Sequence, residues 1–159
     1  MKATPSRSVE LRRATCADAA DAARIVGDAL AEYGLPFEPE GRDADVATFG
    51  SKPEQDDFVV ADGSEVIGVA SVGPQGADGV AWISKVFVSK RARRRGAGRQ
   101  LLAALHEAAL ARGFHEVGLR TRGVFLEAIA LYEAHGYTRR DDPARVLTSG
   151  DVVYYRALR

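Results

Sequence analysis

With 159 residues, 46% of them hydrophobic and 28% charged, the chain suits one domain with a full core. Its 22 basic and 22 acidic residues cancel, so the molecule as a whole carries no electrostatic bias toward nucleic acid or an anionic membrane. No apolar run approaches about 18 residues, the polar opening MKATPSRSVE lacks a signal-peptide pattern, and no linker, repeat or low-complexity tract divides the chain.

These features predict a cytoplasmic protein with no membrane span, a tail over residues 1–8 and a single domain over residues 9–159. Cys16 is the only cysteine, which excludes an intramolecular disulfide and a cysteine-rich metal site, and it is expected to be a plain buried thiol. His106, His115 and His135 lack ligand spacing, so no metal is expected.

In chain order, Val9 to Arg12 alternates as a short strand. Thr15 or Asp18 can cap a helix whose apolar residues Ala22, Ile25, Val26, Ala29 and Leu30 recur at helical spacing, ended by Gly34 and Pro36. Phe58 to Ala61 and Val66 to Val72 read as strands paired across the turn Asp62 to Glu65. Gly76 to Gly79 leads into Val80 to Val88, which is apolar on both parities and so belongs in the middle of a sheet with both faces covered. Leu101, Leu102, Leu105, Ala108 and Ala109 stripe a helix that stops at Gly113, and Glu116 to Thr121 forms the next strand. A helix from Phe125 to His135, a turn at Gly136 and an aromatic strand from Val152 to Leu158 complete an α/β layout.

The densest chemical signal is Val86 to Leu102, VFVSKRARRRGAGRQLL, where a strand leads through a basic, glycine-bearing turn into a helix. A helix start offers unpaired N–H groups and the positive end of its dipole, and a glycine-lined approach lets a diphosphate reach them. Two other phosphate fingerprints fail here. Position 101 is Leu where a dinucleotide fold wants its third glycine, and Ala97 and Arg99 follow Gly96 and Gly98 where a P-loop wants Lys and Ser/Thr. Taken alone, the cluster of Lys90, Arg91, Arg93, Arg94, Arg95 and Arg99 reads equally as a nucleic-acid patch or a solvated turn. The glycines at a helix start, and the lack of interleaved aromatics for base stacking, favour a diphosphate.

Arg93 to Gly98 reads R-x-x-G-x-G, and with the preceding VFV and following LL it resembles the acyl-CoA-binding segment of the GCN5-related N-acetyltransferase (GNAT) family. EAIALYEAHGY, Glu127 to Tyr137, is similar to the family's second diagnostic segment, a helix with a Leu-Tyr pair that ends in Gly and an aromatic residue. VELRRATCADAADAARI resembles its opening strand and helix, and AEYGLPFEPEGRDADV resembles the loop and short helix that follow in one bacterial branch.

The resemblance implies a mixed central sheet, flanked by helices and splayed between the strand ending at Val88 and the strand Glu116 to Thr121. Acetyl-CoA as co-substrate would sit in that opening. Its pantetheine arm would pair with Val86, Phe87 and Val88, and its diphosphate would meet the turn Arg93, Arg94, Arg95, Gly96, Ala97, Gly98 and Arg99. Arg94 stands where the family often has glycine, so its side chain must point outward. Residues Arg122 to Phe125 lack the asparagine many relatives place before the tyrosine helix, leaving Thr121 or backbone to substitute.

The implied function is direct acetyl transfer from acetyl-CoA to a small-molecule or peptide amine in a ternary complex, by a monomer or homodimer. The alternative is a non-catalytic acyl-CoA-binding regulatory domain. Tyr132 occupies the position of the family's proton donor to the departing sulfur, and with an ordinary pKa of about 10 a tyrosine is still protonated at neutral pH. Its alternative is a core aromatic. Where many relatives carry a glutamate base, this chain has Trp82, which cannot accept a proton.

Either Glu32, Glu38 or Glu40 acts through water, or the acceptor needs little help. An amine of pKa about 10.4 must spend about 4.6 kcal/mol to be neutral at pH 7, one of about 7.8 only about 1. Acceptor selection is expected from Tyr33 to Asp45, including Tyr33 and Glu38, from Trp82, and from Asp141 to Asp151. The alternatives are a core role for Trp82 and a solvated acidic loop for Glu38, Glu40, Asp43 and Asp45.

Overall fold

Seven strands form one mixed sheet in the order β1-β2-β3-β4-β5-β7-β6. They are β1 (Glu10–Arg13), β2 (Asp56–Asp62), β3 (Glu65–Gly73), β4 (Val80–Val88), β5 (Glu116–Arg122), β6 (Thr138–Arg139) and β7 (Asp151–Ala157). The helices are α1 (Ala19–Ala31), α2 (Ala97–Ala111) and α3 (Leu126–Ala134). This computed structural model describes residues 9–159, and the tail predicted for residues 1–8 lies outside the described residues.

All neighbouring strands are antiparallel except β4 and β5, which are joined through α2 and run parallel. β4, apolar on both parities, takes the central place that this pattern predicts. One face of the sheet buries Val60, Ile67, Ala70 and Ile83 against Leu101, Leu102 and Leu105 of α2. The other buries Val59, Val66 and Val69 against Ile25, Val26 and Leu30 of α1 and against Val46 and Phe49, on or next to a short 3₁₀ turn, Ala44–Thr48. Each large aliphatic side chain so buried contributes about 1.5–3 kcal/mol of transfer free energy.

Most predicted elements are present with ends shifted by one or two residues. β1 begins at Glu10 rather than Val9, β2 and β3 are longer at both ends, α3 loses Phe125 and His135, and β7 starts at Asp151 and stops at Ala157. The sequence reading missed β6, a two-residue strand too short to show a period. Cys16 corrects a prediction: it is exposed, because it begins a 3₁₀ turn, Cys16–Asp18, whose inward residue is Asp18. Asp18 accepts the Thr15 N–H at 2.8 Å and both guanidinium nitrogens of Arg12 at 2.8 and 2.9 Å.

Two irregularities in β4 create the site. Ser71 pairs with Lys85 but Val72 pairs with Ile83, so Ser84 is an extra residue, a bulge that bends the strand. Pairing of β4 with β5 runs from Val80↔Glu116 to Ile83↔Leu119 and ends there, although both strands continue. Trp82 and Tyr155 flank Gly118 at the closed end, where a Cβ would stand 2.6–2.8 Å from both rings.

Candidate active site

Beyond Ile83 and Leu119 the two strands part around a cleft of about 680 Å³. One edge of β4 from Ser84 to Val88 therefore has no strand beside it among the described residues, while its other edge remains paired to β3. A strand edge of this kind offers backbone donors and acceptors to an extended ligand. Val86, Phe87 and Val88 all line the opening, and Thr121 lies buried in the facing wall.

At one end of the cleft α2 begins. Gly96 caps it with φ +79°, and nothing stands within 4 Å of where its Cβ would be, so the approach to the first N–H groups of the helix is clear. Gly98 serves a different purpose: a Cβ there would meet Leu131 of α3 at 2.9 Å, so its absence sets how closely α3 approaches. Arg94 stands in the left-handed region at φ +67°, a conformation that disfavours a side chain by about 1–2 kcal/mol. It is exposed, which agrees with the outward side chain expected where relatives carry glycine.

The arginine cluster divides. Arg91 pairs with Glu65, Arg93 with Glu32 at 2.5 Å and Glu127 at 3.8 Å, and Arg95 with Asp62 at 3.0 Å. Arg94 and Arg99 have no ion-pair partner among the described residues, and both line the cleft, as do Arg93, Gly96, Ala97 and Gly98. Arg95 does not line it. Its side chain turns to Asp62 at the end of β2.

Tyr132 reaches the cleft from α3 and is only 4% exposed. Its place follows from how the helix ends. Gly136 adopts φ +85°, the Tyr137 N–H bonds to the Tyr132 carbonyl at 3.0 Å and the Gly136 N–H to that of Glu133 at 3.2 Å. This Schellman cap brings the residue after glycine back over the helix, and the Tyr137 ring packs on Tyr132 with centroids 5.6 Å apart. The Gly-aromatic pair of the sequence motif is thus the clamp that fixes the tyrosine.

Tyr137 is held in turn by His106 of α2, whose Nε2 lies 2.6 Å from the hydroxyl. Arg156 donates to His106 Nδ1 at 2.9 Å, which leaves Nε2–H to donate to the tyrosine oxygen. Burial, with the charges of Arg156 and His135, lowers the His106 pKa to about 4, so the imidazole is neutral near pH 7. Burial raises the pKa of Tyr132 and keeps it in the phenol form.

The model of the Acetyltransferase (GNAT) family matches residues 23–137, most of the chain. The chain belongs to the GNAT acetyltransferase family. Solved GNAT structures share its fold at low identity. An acetyltransferase from Staphylococcus aureus superposes with a TM-score of 0.82 at 15% identity, covering 95% of this chain and 99% of that one. YncA from Salmonella typhimurium, solved with its cofactor acetyl-CoA, gives 0.76 at 20% identity over 96% and 95%. PaiA N-acetyltransferase from Thermoplasma acidophilum, in complex with coenzyme A, gives 0.73 at 13% identity over 94% and 99%. No curated protein matches the sequence.

Membership of the GNAT family supports acetyl-CoA-dependent acetyl transfer as the general activity. The far end of the cleft is where this GNAT protein departs most from its sequence-based expectation. Tyr33 lines the opening, its ring tilted 54° against that of Phe125 with centroids 4.8 Å apart. Trp82 is 6% exposed, packed edge-on against Tyr155 with the Arg145 guanidinium 4.3 Å from its ring. It is mainly a core residue whose edge reaches the cleft.

Glu38 is outside the cleft, a correction: its loop turns outward, its side chain is exposed, and its N–H bonds to Asp43. Glu40 is outside too, and Glu32 is held by Arg93. The carboxylates that do line the cleft are Asp43, Asp45 and Glu127, with Asp45 ion-paired to Lys85. Arg42, Lys85 and Arg120 also line it and were not singled out from sequence. Arg42 donates to the buried Asp151 at 3.0 Å and Arg120 lies 3.8 Å from it. Lys85 left a signal, a lysine within an otherwise apolar strand. The arginines left none, because their convergence on Asp151 depends on a loop and two strands far apart in the chain.

Proposed function

We propose that this protein transfers the acetyl group of acetyl-CoA directly to a small amine. The observation that carries the reading is the end of β4–β5 pairing at Ile83–Leu119, which opens one cleft from the start of α2 to Tyr132. In this reading the free edge at Val86 to Val88 pairs with the pantetheine arm, and the N–H groups at the start of α2 meet the diphosphate. Arg94 and Arg99, which have no carboxylate partners among the described residues, supply its counter-charge. The pairing of Arg91, Arg93 and Arg95 with acidic residues removes the contiguous basic patch that a nucleic-acid contact would need.

The amine nitrogen attacks the thioester carbonyl, the new C–N bond forms, the C–S bond breaks, and the Tyr132 phenol gives its proton to the leaving thiolate. The amine must also lose a proton. Asp45, which lines the cleft but is held by Lys85, is the loop carboxylate we assign to take it. The acceptor is therefore an amine with a small protonation cost, made smaller by the adjacent ammonium of Lys85.

A thermal-unfolding titration tests the reading. A ligand that binds only the native state adds about 2.7 kcal/mol at 100 times its dissociation constant, a shift of several degrees for a domain of this size. Acetyl-CoA is expected to raise the midpoint where ADP and short DNA do not, and thiol release should follow on adding amines. No shift at saturation overturns the proposal. A midpoint shift without thiol release from any amine would favour the non-catalytic acyl-CoA-binding reading, to which the tryptophan at position 82 lends some weight.

A further inference from the structure

The cleft adjoins a second cavity, of about 230 Å³, which shares Asp45, Trp82, Ser84 and Lys85 with it at the β4 bulge. Its floor is a polar row laid across three strands. Asp57 of β2 pairs with Ser71 of β3, and Ser71 with Lys85 of β4, so the three side chains stand side by side on the α1 face. They are 7%, 0% and 5% exposed.

Two contacts are accounted for: Lys85 is ion-paired to Asp45, and Asp57 Oδ2 accepts the Gly50 N–H at 2.8 Å. Asp57 Oδ1 and Ser71 Oγ have no partner among the described residues. Buried polar atoms in native folds nearly always have one, and here two neighbours lack one in the same cavity. A carboxylate oxygen can only accept a hydrogen bond, so the missing partner is a donor.

We propose that this cavity is a distal subsite for the acceptor, holding an ammonium or hydroxyl at the far end of a short amine while its near end reaches the acetyl group at the bulge. The inference rests on the acetyl-transfer reading for the near end; the distal group undergoes no reaction. The charge pattern agrees. Arg42 and Arg120 are absent from the cavity lining and lie against Asp151, and Lys85 is already paired, leaving Asp57 to attract a cation. Lys52, the other cation of the lining, is exposed at its rim. A second ammonium in the acceptor also lowers the pKa of the reacting amine through like-charge repulsion, which answers the lack of a strong base.

The test compares four acceptors of equal chain length: 1,4-diaminobutane, 4-aminobutan-1-ol, butylamine and 4-aminobutanoate. Thiol release gives kcat/KM, and thermal unfolding of the CoA-saturated protein gives binding. The diamine, the amino alcohol or both should exceed butylamine by about tenfold or more, with the acid poorest, and Asp57→Asn and Ser71→Ala should each move that ratio toward one. A diamine preference that collapses in Asp57→Asn identifies an ammonium subsite, and an amino-alcohol preference a hydroxyl one.

Butylamine equal to both, or a ratio unmoved by either variant, overturns the subsite. Acetyl-CoA stabilisation of each variant confirms folding, and Ser71→Ala, which only removes an unpartnered hydroxyl, decides the matter if Asp57→Asn does not fold. If acetyl-CoA fails to stabilise the wild type, the acetyl-transfer reading falls by itself. The diamine's own midpoint shift then reads the cavity, with a shift lost in Ser71→Ala supporting it and no shift overturning it.

Discussion

At the α2 end of the cleft a ligand meets mostly backbone: the free edge of β4, a glycine-capped helix start and a turn whose arginines are half neutralised. At the opposite end it meets side chains drawn from the loop after α1 and from β4 and β5, with Arg42 and Arg120 lying against the buried Asp151 and Asp45 paired to Lys85. A backbone site survives wide changes of sequence, provided that its glycines and strand edge remain. A side-chain site changes with every substitution. The same division explains why the chain shares its fold with GNAT structures at 13–20% identity, while the acceptor must be argued from this protein's own residues.

The largest effect is expected from Gly96→Glu, which forces a side chain into the left-handed region and sets a carboxylate beside the diphosphate position. Acetyl-CoA affinity should fall by about 100-fold or more, and the midpoint shift should vanish. Retained binding would mean that the helix start is not the phosphate site. Next, Tyr132→Phe should lower kcat by about 100-fold while leaving acetyl-CoA stabilisation in place. Because burial raises the pKa of this phenol, the wild-type rate should show no falling limb from its ionisation up to about pH 9. A kcat within twofold of wild type would assign Tyr132 to packing alone.

Asp151→Asn probes the side-chain end. Burial alone would raise this carboxyl, but the Arg42 bond and the Thr148 and Leu147 N–H groups outweigh it and hold the pKa below the ordinary value. A depressed carboxylate stabilises the fold above its unfolded pKa, and that stability is lost as pH falls through the folded value. The variant should lose about 1–3 kcal/mol near neutral pH and show a smaller acid-dependent drop than wild type, with acceptor KM rising more than acetyl-CoA affinity falls. An unchanged urea midpoint would contradict this.

The smallest effect belongs to Glu38→Gln and Glu40→Gln, whose side chains are exposed and outside the cleft. Rates should stay within about twofold and stability within about 0.5 kcal/mol. A tenfold fall in kcat for either would restore the loop glutamates as the base.

The fold was legible because its signals are local and repeated. Helical stripes, the apolar residues of β4 on both parities, and glycines at the helix ends each follow from a few neighbouring residues, as does the helix start where Gly96 and Gly98 precede Leu101 and Leu102. Tyr132 was legible through its motif, and the structure adds the reason: Gly136 and Tyr137 form the cap that holds it. The polar row Asp57, Ser71 and Lys85 left only a faint trace, polar residues within three mainly apolar strands. No local rule says that those three positions share a register.

Sequence by itself therefore determined the order of elements, the central strand and the glycine-lined helix start, since backbone preference and apolar periodicity act over a few residues at a time. Tertiary structure alone decided where β4 and β5 part, which arginines lose their charge to partners, and which carboxylates face the cleft rather than solvent. Those outcomes depend on strand register and loop packing between residues far apart in the chain, where a shift of one position turns a side chain to the opposite face.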